Sequence, residues 1–126
     1  MKVILVTNNP KVEKHFTPLY PTEFISGSLF DVIVIARNYV HLGHSLLTHP
    51  LSGSVKPNHT PYKSILLTAL PSGVDMDSLR IIEGAIDTCT KLGLEKNTYP
   101  QTLEEDFMQV DFTLIEGALA SYSQSQ

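Results

Sequence analysis

The chain of 126 residues is long enough for one domain, burying about two-thirds of the surface its unfolded form exposes. Hydrophobic residues make up 42 % and charged residues 17 %, a balance that excludes a largely disordered chain. A net charge of −4, from 9 Lys and Arg against 13 Asp and Glu, speaks against a nucleic-acid or anionic-membrane partner.

Val3 to Val6 is aliphatic on both faces, which predicts an interior strand, stopped by Asn8, Asn9 and Pro10. Asn9 as cap and Pro10 as first residue predict a short helix through Phe16, ended by Pro18 and Pro21. Thr22 to Ile25 reads as a second short strand, followed by a turn or helix cap at Ser26-Gly27-Ser28. Val32 to Ile35 has strand propensity, but an apolar stripe from Leu29 to Leu42 with Gly43 behind it favours a helix.

Ser45 to Thr48 and Ser64 to Leu70 read as further strands. A helix capped by Asp75 or Asp77 carries Leu79, Ile82, Ile86 and Cys89 at helical spacing and closes at Gly93. Thr102 with Glu105 matches a capping box for a last helix. That helix has two apolar stripes: Phe107, Val110, Leu114 and Ala118; and Met108, Phe112, Ile115 and Leu119. Two stripes need cover on two sides, from the domain itself or from a twin subunit, and a homodimer is expected. Residues 121–126 are polar and read as a disordered tail. The alternation of elements predicts a single α/β domain, a layered sandwich with a small, mainly parallel sheet flanked by helices.

No stretch approaches the roughly 20 apolar residues needed to span a bilayer, and Met1 to Thr7 is too short for a signal peptide. The single cysteine, Cys89, allows no internal disulfide, so a cytoplasmic location is expected.

The candidate site is the Pro-, His- and Ser-rich segment from His41 to Lys63, whose central loop is long for a structureless connection. His41, His44, His49 and His59 invite a metal reading. Against it, the helical ligand spacing is missing and no acidic residue lies between Asp31 and Asp75, so neither metal nor cofactor is expected. Thr48, His49, Ser52, Gly53, Ser54 and Lys56 suit an anion cradle: glycine allows close backbone approach, hydroxyls donate, and lysine brings charge. The same residues also suit a rigid turn network.

Tyr62 and Lys63 stand at the start of a strand, where Lys63 serves as base or anchor only if burial lowers its pKa. Asn8 and Asn9 stand at the carboxyl end of the first strand, where open α/β sheets collect ligands, or else cap the next turn. Ser52 and Ser54 lack a nucleophile elbow. The residues thus admit two readings. One is a non-catalytic protein that binds a small anionic molecule or a partner; the other is a small enzyme, with or without a metal, using His49 or His44 with Lys56 or Lys63.

Val6-Thr7-Asn8-Asn9-Pro10, Leu46 to Asn58 and Thr60-Pro61-Tyr62-Lys63-Ser64 together resemble the GrdX-like family, and the likeness runs to about Cys89. Proteins of that family are encoded beside glycine reductase systems of amino-acid-fermenting anaerobes. The resemblance implies an accessory role near glycine, betaine or sarcosine reduction, with reductase components as partners, and brings no catalytic residues. With one cysteine the chain lacks a dithiol centre of its own.

Overall fold

The computed structural model describes residues 2–51, 60–93 and 104–124. In chain order these form β1 (Val3–Thr7), α1 (Pro10–Phe16), β2 (Thr22–Phe24), α2 (Leu29–His41), β3 (Ser64–Thr68), α3 (Met76–Leu92) and α4 (Glu104–Gln124).

The helices begin where side chains replace missing backbone partners. Asn9 accepts from the Lys11 N–H with Pro10 opening α1, Ser28 and Asp31 form a reciprocal capping box on α2, and Asp75 accepts from the Ser78 N–H at α3. Each such cap is worth about 1 kcal/mol. Gly93 ends α3 in the left-handed conformation (φ 69°), where a side chain would be strained. The predicted capping residue Thr102 lies outside the described residues.

The sheet has the order β2-β1-β3. β1 pairs in parallel with β2, across the α1 crossover, and antiparallel with β3. The expected mainly parallel sheet is therefore corrected to a mixed one. The segment from Ser45 to Thr48 lies antiparallel to β3, bridged at Leu46 and Leu67, so β3 runs against the direction of β1. The predicted strand at Ser45 to Thr48 shrinks to a single antiparallel bridge, Leu46 with Leu67. It stops there because the Leu66 N–H donates to the Thr48 hydroxyl (3.1 Å) instead of extending a ladder.

Side-chain alternation sorts the core into two layers. Val6, Ile65 and Leu67 point toward α2 and α3, joining Val32, Ile33, Ala36, Ile82 and Cys89. Val3, Leu5 and Leu66 point toward α1 and α4, joining Val12, Phe16, Ile115 and Leu119. On the second face Phe16 and Phe112 stack, with ring centroids 5.4 Å apart, tying α4 to α1. The same alternation aims Thr7 and Ser64, direct partners across β1 and β3, at α4. None of the described helices is long and apolar enough to cross a membrane.

Candidate functional site

Two polar strand residues on a buried face need partners, since an unpaired buried hydroxyl costs about 1–3 kcal/mol. Thr7 and Ser64 find them in each other and in Asp111 of α4. The Asn9 N–H donates to Thr7 Oγ1 (3.0 Å), and Thr7 and Ser64 hydroxyls lie 2.7 Å apart. Ser64 Oγ donates to Asp111 Oδ2 (2.7 Å). Its only proton is used there, so Thr7 must be the donor to Ser64. Asn9 Nδ2 completes the network, donating to Asp111 Oδ2 (3.1 Å) and to the Met108 carbonyl (3.0 Å). Asn9 thus caps α1 and latches α4 at once.

Asn8 is used differently. Its Nδ2 donates to the Gly27 carbonyl (3.0 Å) and the Pro61 carbonyl (2.8 Å), and its Oδ1 accepts from the Lys63 N–H (2.8 Å). One amide therefore clamps the turn before α2 to the segment entering β3, and the position of Lys63 follows from that clamp.

Beside the network lies a cavity of about 340 Å³ lined by Leu47, Thr48, His49, Lys63, Ser64, Asp111, Leu114, Ile115 and Ala118. Leu47, Leu114, Ile115 and Ala118 make its lining apolar in part, and the other residues are polar. Asp111 is 7 % exposed, and burial pushes its pKa up, opposed by the bonds from Ser64 and Asn9 and by the charge of Lys63. Burial pushes the Lys63 ammonium down, opposed by Asp111. Each charge offsets part of the other's desolvation. Thr48 Oγ1 accepts from the Leu66 N–H, so its own proton is left to donate elsewhere. His49 Nδ1 accepts from the Leu51 N–H (3.1 Å), which places the ring proton on Nε2. Tyr122 donates to the Leu47 carbonyl (2.7 Å), pinning the far end of α4.

Of the residues singled out from sequence, Thr48, His49 and Lys63 meet at this cavity, with Asn9 behind Asp111 and Asn8 behind Lys63. Tyr62 precedes them, its N–H donating to Thr60 Oγ1 (3.3 Å). Ser52, Gly53, Ser54, Lys56 and His59 lie outside the described residues. His44 sits elsewhere: its Nδ1 is 2.7 Å from the Thr68 carbonyl, at the opposite end of β3 from Ser64. Four strand steps separate those ends, about 13 Å. His41 stands on α2, 3.5 Å from Glu83. Among the described residues no three His, Cys, Asp or Glu side chains come close enough to hold a metal ion.

Sequence reasoning missed Asp111. The signal was available, because Asp111 stands four residues before Ile115 and three after Met108, an acid on the stripe the helix buries. Thr7 and Ser64, polar ends of otherwise aliphatic strands, were the matching clue.

No curated protein and no solved structure matches the chain. The GrdX-like protein family model, in contrast, matches residues 4–120, continuing past Cys89, where the sequence resemblance stops, to include Asp111 and most of α4. With every residue that lines the cavity inside that match, the chain belongs to the GrdX-like protein family.

Proposed function

We propose that this protein is a non-catalytic cytoplasmic accessory protein of glycine, betaine or sarcosine reductase metabolism that binds a small molecule in the cavity between α4 and β3. The cavity carries the reading: about 340 Å³, lined in part by apolar side chains and in part by Lys63, Thr48 and His49. That combination of a hydrophobic lining and a few placed polar groups is what small-molecule sites share, at the low end of their roughly 300–1,000 Å³ range. The family's link to glycine reductase systems supports the metabolic setting. The polar network beneath supports a holding role, because Ser64 Oγ is shared between Thr7 and Asp111 and serves as a strut.

Thermal-shift measurements against phosphate, acetyl phosphate, glycine, betaine and nucleotides test it. At least one compound should raise Tm, and the rise should shrink in His49→Ala. A panel with no response overturns the reading.

One observation favours an enzyme instead. Burial at the cavity pushes Lys63 toward the neutral amine, the form a general base needs. On that reading Lys63, with His49, would act on an anionic substrate. Turnover of acetyl phosphate or another panel compound, lost in Lys63→Met, would establish it.

A further inference from the structure

Among the described residues, Lys63 and Asp111 border the same space with opposite sign. Burial disfavours the charge of each, and the opposite charge of the other works against that in both. The pair is neutral as a whole. A ligand bearing only negative charge would satisfy Lys63 while standing beside a carboxylate that is 7 % exposed. A ligand bearing only positive charge would meet the reverse conflict. In either case one uncompensated charge is added where water is scarce, and that is costly.

We infer that the cavity takes a net-neutral dipolar ligand, a short molecule with a carboxylate at one end and a cationic nitrogen at the other. The carboxylate lies toward Lys63 and Thr48, whose hydroxyl oxygen already accepts from Leu66 and so keeps its proton for an acceptor. The cationic end lies toward Asp111, which Ser64 and Asn9 hold in place through Oδ2. A few methylene or methyl groups between or beside the charges pack on Leu47, Leu114, Ile115 and Ala118. Asp111 then has two duties, fastening α4 and selecting against simple anions. This inference rests on the small-molecule reading above and specifies its ligand class.

Calorimetric titration with a matched set decides it: γ-aminobutyrate, butyrate and butylamine, sharing one carbon skeleton, with glycine and β-alanine to vary the span between charges. The expected result is that a dipolar member binds about 10- to 100-fold more tightly than either singly charged analogue, the value of one charge-assisted contact. Asp111→Asn should narrow that ratio by weakening the dipolar ligand and strengthening butyrate. Butyrate or butylamine binding as tightly as every dipolar member to the unaltered protein overturns the inference and leaves the small-molecule reading standing. No heat from any member, beside a negative thermal-shift panel, removes both.

Discussion

Replacing Lys63 by Met probes the coupling between its charge and that of Asp111 across the cavity lining. Methionine keeps most of the stem's volume and removes the charge, leaving the Asp111 carboxylate, 7 % exposed, with only the Ser64 and Asn9 donors. Breaking a fully buried pair costs about 3–5 kcal/mol. Here the cavity reaches the pair and two donors remain, so about 2 kcal/mol is the expected loss at pH 8. The loss should depend on pH with a definite sign. Burial raises the Asp111 pKa above its ordinary 3.8, and removing Lys63 raises it further. Above pH 3.8 the unfolded chain has released this proton while the folded variant still holds it. The folded state then binds more protons, so stability falls as pH rises, by up to about 1.4 kcal/mol per unit, until the folded pKa is passed. Urea denaturation at pH 5 and pH 8 should show Lys63→Met losing more at pH 8 than at pH 5, relative to the unaltered protein. Adding Asp111→Asn, whose side-chain oxygen still accepts from Ser64 and Asn9, should bring the double variant to within about 1 kcal/mol of the parent and flatten the difference. A loss equal at both pH values, or a double variant as weak as the sum of the singles, would refute the pairing.

Asn8→Ala removes three side-chain hydrogen bonds joining the Gly27 turn, Pro61 and Lys63, and should cost about 2–4 kcal/mol with faster amide exchange at Lys63; a loss under about 0.5 kcal/mol would show that the clamp is dispensable. The two positive-φ glycines among the described residues should behave unequally. A Cβ on Gly43 (φ 104°) would stand 2.0 Å from the Ser72 carbonyl oxygen, whereas one on Gly93 (φ 69°) meets nothing within 4 Å. Gly93→Ala should therefore cost about 1 kcal/mol in chemical denaturation and Gly43→Ala clearly more, and equal losses would contradict the close approach. Leu114 remains 44 % exposed on the stripe of α4 that runs from Phe107 to Ala118, and pairing of two copies there is the arrangement we propose to cover it. Light scattering at micromolar concentration should give a dimer mass, and a monomer mass would remove the proposal.

How much of this was legible in the sequence depends on how far apart the partners lie. The caps at Asn9, Ser28 and Asp75 and the stop at Gly93 join residues within one helical turn, so chain order alone was enough to place them. The helix at Leu29–His41 was legible despite its β-branched run, because its stripe continued beyond the span of a strand. The direction of β3 was not, since it depends on the bridge between Leu46 and Leu67, well apart in the chain, and alternation of elements gives no sign for two consecutive strands. The site divides in the same way. Thr48, His49 and Lys63 were identified from local chemistry, and they line one cavity. Asn8 was visible as a turn residue, but its bonds go to positions 27, 61 and 63, so its action as a clamp exists only in three dimensions. Asp111 belongs to both kinds. Its place on a buried stripe could be counted along the helix, yet the reason a carboxylate is tolerated there is a serine and an asparagine contributed by two other elements, 47 and 102 positions away. An acid on an apolar helical stripe therefore predicts polar residues at the ends of the strands that the stripe will cover, and here the aliphatic runs ending at Thr7 and beginning at Ser64 supply them.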